Sequence, residues 1–254
     1  MSDSALDRVA AAHDALAHNH VWYHTIDLAP GVSTPGYVDW RGLAHRVLPE
    51  RLDGRRSLDV GTFDGFWSFE MESRGGSVVA IDVERVDAAE WPPLGRARLE
   101  EAATDMDLVL GRGFELAKEV RGSAVERVIC NVYDLTAERI GGPVDFAYIG
   151  ALLVHLRDPV RALERVRRVL APGGTVVLCE PVSRRANLFF RRRPAAEFQA
   201  DRTDFNWWLP NPAGVIAYLA AAGFGVASSQ ARLLKPPSRR EMVARYAVAS
   251  ARVR

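Results

Sequence analysis

SLDVGTFDGFWSFEMESRG, residues 57–75, reads as a short apolar strand, a tight glycine turn and the opening of a helix. The strand ends near Asp59, the chain turns through Gly61, Thr62, Phe63, Asp64 and Gly65, and apolar residues then recur at helical spacing. A turn of this kind lets a ligand touch backbone. Gly61 and Gly65 remove side chains where the chain must bend sharply and come close to a bound molecule. A carboxylate at Asp59 suits an amine, and the helix N-terminal amides around Asp64 and Gly65 suit a carboxylate. An amino-acid ligand satisfies both ends at once, with Thr62 also in reach of it.

The same rhythm extends in both directions. Apolar, β-rich runs occur at RRSLDV (55–60), SVVAIDV (77–83), VERVICNV (125–132), PVDFAYIG (143–150) and GTVVLCEP (174–181), with helix-like spacing between them. Strands alternating with helices predict an α/β fold, a doubly wound parallel sheet covered on both faces. A long helical segment, LEEAATDMDLVLGRGFELAKEVRG, fills the interval before the third run, and the helix after the fourth is expected to stop at Gly173-Gly174. After the fifth run the pattern changes. NPAGVIAYLAAAGF (211–224) is a helix from Pro212 to Gly223, and two late runs, 223–233 and 244–253, form a hairpin-like pair. The division expected is an N-terminal cap over 1–50 and a catalytic domain over 51–254, with a lid-like insertion at 183–210.

Acidic residues close successive strands. Asp82 lies 23 residues beyond Asp59, just past the second strand, where a carboxylate accepts bonds from both hydroxyls of a ribose. Asp134, after the third strand, is placed to meet an exocyclic adenine amine, with Val132 and Tyr133 against the ring. Ile149 ends the fourth strand beside the same edge. A nicotinamide or flavin dinucleotide is the competing ligand. It calls for G-x-G-x-x-G, and here Phe63 stands at the middle glycine, where its side chain obstructs a pyrophosphate.

Composition sets the outer limits. Of 254 residues, 48% are hydrophobic and 26% charged, the balance of a folded globular chain. The 33 basic and 32 acidic side chains nearly cancel, so no global field draws the protein to nucleic acid or a membrane. No stretch approaches the ~20 apolar residues of a membrane span, and the first twenty residues read as an amphipathic helix rather than a signal peptide. Cys130 and Cys179 sit in apolar runs and are read as buried thiols, which points to the cytoplasm.

The chain resembles the class I S-adenosylmethionine-dependent methyltransferases, and within them the relatives of the bacterial tRNA wobble-uridine 5-oxyacetic acid methyltransferase. The matching stretches are LDVGTFDGFWSFEME, GALLVHLRDPVRALERVRRVL (150–170), NWWLPNPAGVIAYLAAAGF (206–224) and VDWRGLAHRVLPERL (38–52). The resemblance implies a Rossmann-like seven-stranded sheet with a reversed last strand, and S-adenosylmethionine as cofactor. Two positions depart from the group. Its Gly-Cys-Gly is Gly61-Thr62-Phe63 here, and the tyrosine before the histidine after strand four is Val154.

For the acceptor side, His155 in LLVHLRDP follows the fourth strand and titrates near neutrality, which suits a base that takes a hydroxyl proton. His24 and Glu180 are further catalytic candidates, and Glu180 with His155 is the only pairing that suggests a divalent metal. The cap supplies Trp22, Tyr23 and Trp40 as acceptor contacts. SRRANLFFRRR (183–193) supplies Arg184 and Arg191 for a phosphate or carboxylate on the acceptor. The function expected is O-methylation of a small hydroxylated metabolite, such as a sugar or natural product. The alternatives are a tRNA methyltransferase and a non-catalytic binding module built on the same fold.

Overall fold

Short polar side chains and prolines fix where two helices of this computed structural model begin. Asp158 accepts the Arg161 amide at 2.9 Å with Pro159 in the first helical position, and Asn211 accepts the Gly214 amide at 2.7 Å with Pro212 after it. Both pairs satisfy an amide that the first turn leaves without a partner. The structure describes residues 3–203, 205–226, 231–238 and 244–253.

In chain order the elements are α1 (Asp3–His18), β1 (Asp27–Ala29), β2 (Val32–Ser33), β3 (Arg56–Val60), α2 (Phe66–Ser73), β4 (Ser77–Asp82), α3 (Arg96–Asp105) and α4 (Arg112–Arg121). There follow β5 (Glu126–Ile129), β6 (Val144–Gly150), α5 (Pro159–Val169), β7 (Leu170–Val182), α6 (Arg184–Phe189), β8 (Ala196–Phe198) and β9 (Trp208–Pro210). The chain closes with α7 (Pro212–Ala221), β10 (Gly225–Val226), β11 (Arg232–Leu234) and β12 (Arg245–Arg252).

The main sheet runs β10, β12, β7, β6, β3, β4, β5, with β11 also paired to β12. Strands β3 to β7 are mutually parallel, and β12 is antiparallel to β7 along Arg245–Arg252. Because β10 and β11 share one edge of β12, the sheet is seven strands wide with its last strand reversed, as the resemblance implied. Residues 227–230, inside the first late run, lie outside the described residues.

Two apolar layers sandwich the sheet. One holds Trp22, Trp40, Phe69, Phe114 and Tyr148 beneath the N-terminal segment, α2 and α4. The other holds Leu58, Ile149, Leu163, Val166 and Leu219 beneath α5 and α7. The strands read as continuous apolar runs because both of their faces are covered. The N-terminal fifty residues contribute Ala12, Ile26, Val38 and Leu48 to the first layer, so they share its core.

Two boundaries differ from expectation. The segment before β5 is two helices, broken where Asp107 and Gly111 take positive φ of 48° and 85°. Helix α5 stops at Val169, four residues before Gly173, since Pro172 has no amide to donate and disfavours helical geometry before it. Leu170 already pairs with Val144.

Candidate cofactor and acceptor site

Sheet register gathers the site at one edge. Val60 lies beside Ile81 and Ile149, Asp82 beside Ile129, and Gly150 beside Cys179, so the carboxyl ends of five parallel strands line up. Loop 61–65 leans on the end of β4. The Gly61 amide donates to the Ile81 carbonyl at 2.9 Å and the Phe63 amide to Asp82 Oδ2 at 2.8 Å. Three of its five residues are left-handed, Gly61 at φ 77°, Phe63 at 50° and Gly65 at 90°. A Cβ on Gly65 would stand 2.6 Å from Phe69 and 2.8 Å from Phe114, so only glycine brings the loop this close to the helix behind it. Phe63 keeps the glycine-type backbone with a side chain attached, its ring edge-on to Tyr23 at 6.3 Å.

The acids at this edge divide by what they touch. Asp82 takes the Phe63 amide on one oxygen and the Val83 amide on the other, at 2.8 and 2.7 Å. Each oxygen keeps a second lone pair, which leaves two acceptor positions for a diol. Burial raises its pKa. Asp59 is fully buried and accepts Ser68 Oγ at 2.6 Å, with Thr62 bridging to Ser68 at 2.9 Å. Desolvation pushes its pKa up to about 6. Asp59 therefore anchors the loop to α2, where a ligand amine was expected. Asp64 is buried and turned away from the edge. Its Oδ2 accepts the amides of Tyr23 and His24 at 2.9 and 2.7 Å, and its Oδ1 meets His24 Nδ1 at 2.5 Å. Both oxygens meet the N-terminal segment, so this carboxylate binds the cap to the glycine loop.

Val132, Tyr133 and Asp134 form one turn after β5, with Val132 buried, Tyr133 half-buried and Asp134 exposed. The Tyr133 hydroxyl accepts the Asp158 amide at 3.0 Å, and Arg161 lies 5.2 Å over its ring. Ile149 is a core residue, so Gly150 is the open strand end; a Cβ there would meet the Tyr148 hydroxyl at 2.2 Å.

His155 sits half-buried in the turn after β6. Its Nδ1 lies 2.8 Å from the Phe205 carbonyl and its ring is edge-on to Trp91 at 5.8 Å. Burial lowers its pKa. The same segment continues as a strap. The Trp207 amide donates to the Val154 carbonyl at 2.8 Å, the Trp207 indole to the Glu90 carbonyl, and the Trp208 indole to the Arg157 carbonyl at 3.1 Å. Residues 205–208 thus tie the loop after β6 to the loop after β4. Glu180 is buried at the end of β7. Its Oε1 accepts the Leu152 and Leu153 amides, both at 3.2 Å, its Oε2 has no partner, and desolvation pushes its pKa up to about 8. It holds the turn that carries His155.

The structure does not bring every candidate to this edge. Trp22 and Trp40, expected at the acceptor, are only 1% and 2% exposed. Trp22 donates to the Asn19 carbonyl at 2.8 Å, and Trp40 packs on Trp67 and Tyr246. Tyr23 remains half-buried, with its hydroxyl 3.3 Å from that of Tyr246. Arg184 and Arg191 are exposed on the insertion. Among the described residues no group of three or more metal-ligating side chains forms. Sequence reasoning missed Ser68, Trp91, Tyr246 and the Phe205–Trp208 strap. The Trp207-Trp208 pair was the one visible signal, and it has no periodicity to place it.

The family described as a methyltransferase domain matches residues 37–229, well over half of the chain. The chain belongs to this methyltransferase family. Ubiquinone biosynthesis O-methyltransferase of Pseudomonas aeruginosa is 28% identical over 171 residues, covering 66% of this methyltransferase and 60% of that protein. The chain thus matches about 60% of the length of these curated relatives. Among solved structures, the N-terminal domain of EvdMO1, in the presence of SAH and D-fucose, covers 100% of both chains at 18% identity and a TM-score of 0.60. The 1,6-didemethyltoxoflavin-N1-methyltransferase of Burkholderia thailandensis covers 79% of this chain and 72% of its own, at 20% identity and a TM-score of 0.51. At these identities the likeness is one of fold.

Proposed function

We propose that this methyltransferase uses S-adenosylmethionine to methylate a hydroxyl of a small metabolite, such as a sugar or a tailored natural product. The observation that carries the donor is the pairing of the left-handed loop at Gly61, Phe63 and Gly65 with the two open acceptor positions of Asp82. An adenosyl amino acid fits that donor set. Its ribose diol meets Asp82, its amino-acid end lies along loop 61–65, and its base lies toward Val132, Tyr133 and Asp134. Bound there, the sulfonium supplies an electrophilic methyl group for in-line displacement, and the protein supplies alignment and a dry pocket.

His155 is the base. Its Nδ1 faces a carbonyl, which only accepts, so Nδ1 carries the proton and Nε2 holds the lone pair. Burial keeps the ring neutral near pH 7, the form that takes a proton from the acceptor hydroxyl. Glu180 is a positioning residue through the Leu152 and Leu153 amides. Residues 1–50 and 183–210 act as cap and lid, and Tyr23 faces the acceptor beside Tyr246.

The acceptor class draws support from the curated O-methyltransferase relatives and from the D-fucose named with the EvdMO1 domain. The tRNA reading draws on the sequence resemblance alone and has a net charge of only +1 behind it. Incubation with radioactive S-adenosylmethionine, a panel of sugars and polyols, and bulk tRNA separates them. Label is expected in a hydroxylated small molecule. His155→Gln is expected to lower turnover by about 10²–10⁴-fold, while calorimetry shows S-adenosylhomocysteine binding unchanged. Asp82→Ala is expected to weaken that binding by about 10–100-fold. Label in tRNA alone overturns the acceptor, binding without turnover favours a non-catalytic module, and no heat with either nucleoside overturns the donor.

A further inference from the structure

The near-neutral charge of the whole chain conceals one dense patch. Helix α6 and the turn after it present Leu188, Phe189 and Phe190 to solvent at 77, 68 and 52% exposure, three consecutive large apolar residues. Arg184 and Arg185 precede them and Arg191, Arg192 and Arg193 follow, all five exposed. Among the described residues none of these guanidinium groups has an ion pair. Among the described residues, the acids of the segment are engaged elsewhere: Glu197 accepts Ser183 Oγ at 2.5 Å and Gln199 at 3.2 Å, and Asp201 pairs with Arg202 at 3.7 Å.

The patch is held firmly from beneath. Ser183 caps α6 by accepting the Ala186 amide at 2.8 Å, and Ala186 is buried against the body. Asn211 donates to the Phe190 and Arg193 carbonyls at 2.8 and 2.9 Å, which pins the turn beyond the helix. An apolar tip this exposed is unfavourable in water, and the exposed cations that flank it in the chain call for anions at the depth where apolar contact begins.

From this we infer that residues 184–193 dock on the surface of an anionic phospholipid bilayer, with Leu188, Phe189 and Phe190 entering the headgroup–acyl boundary and the five arginines meeting lipid phosphates. Charge complementarity selects an anionic surface. The aliphatic Leu188 at the most exposed position selects a bilayer over RNA, since leucine offers a base no stacking plane. No helix among the described residues is long and apolar enough to cross a membrane, so the contact is peripheral. It stands independently of the donor assignment and concerns the outer tip of the 183–210 insertion.

Co-sedimentation of the full chain with vesicles of phosphatidylcholine alone, or mixed with phosphatidylglycerol, tests it. Partition into the anionic vesicles is expected to exceed that into neutral ones by about tenfold or more and to fall as salt is raised. Two triple variants, Leu188→Ser/Phe189→Ser/Phe190→Ser and Arg191→Gln/Arg192→Gln/Arg193→Gln, are each expected to lose about tenfold in partition. Their thermal transitions are expected to match the parent, because every substituted side chain is exposed. No pelleting of the parent overturns the inference, as does apolar-variant binding equal to the parent's, or binding of bulk RNA by the patch without vesicle binding.

Discussion

At Phe63 the backbone holds φ 50°, a left-handed conformation that costs a residue with a Cβ about 1–2 kcal/mol. Its amide is aimed at Asp82, and that bond needs the loop shape that glycine would take freely. Gly65 is the stricter position. Gly65→Ala adds a φ of 90° to a Cβ pressed within 2.8 Å of two phenyl rings, and it is expected to lower stability by about 3 kcal/mol or more, read from thermal or urea unfolding. A change within about 0.5 kcal/mol would show that the loop relaxes away from α2. The loop's role was legible from Gly61, Gly65 and the acid after the next strand, because close backbone approach and strand ends leave fixed spacings in sequence. The destinations of Asp59 and Asp64 were not. One closes β3 and the other sits in the glycine turn, and only tertiary contact shows that Asp59 turns to Ser68 and Asp64 to residues 23 and 24, some forty positions upstream.

Between elements, the glycine loop is tied to the cap by a single buried carboxylate. Asp64 accepts two cap amides and faces His24, whose ring stacks on Phe66 at 5.3 Å. Asp64→Ala removes all three interactions and leaves two amides buried beside an imidazole without its partner. The expected loss is about 3–5 kcal/mol, measured by chemical denaturation, and it should come with faster hydrogen exchange at the Tyr23 and His24 amides. Asp64→Asn keeps one acceptor oxygen and should recover part of it. The five parallel strands were legible because a strand covered on both faces reads as an unbroken apolar run. The contacts made within the cap and by the 205–208 strap were not, since irregular segments have no period. Trp22 and Trp40 misled for a related reason: aromatic density in a cap marks its own packing as readily as a ligand contact.

For the molecule as a whole, buried acids at the sheet edge set how stability answers to pH. Glu180 has no exposed surface, and its pKa rises from 4.5 to about 8 through desolvation. A group whose folded pKa lies above its unfolded value binds its proton more tightly in the folded state. Its favourable contribution is complete below about 4.5 and is lost progressively as pH rises to about 8. Asp59, raised to about 6, acts in the same direction over a narrower range. His155 opposes them on the acid side, because a lowered histidine pKa removes stability as pH falls through its unfolded value. Glu180→Gln keeps Oε1 for the Leu152 and Leu153 amides and cannot ionise. The parent is expected to lose about 2–4 kcal/mol between pH 5 and 8 that this variant retains, so the two unfolding curves should converge near pH 5 and separate progressively above it, to the full difference near pH 8. Parallel curves across that range would show that water reaches Glu180 Oε2 and relieves its burial. The turn that carries His155 would then rest on an ionised carboxylate, and the activity of the parent and Glu180→Gln would diverge at neutral pH instead of only above pH 8.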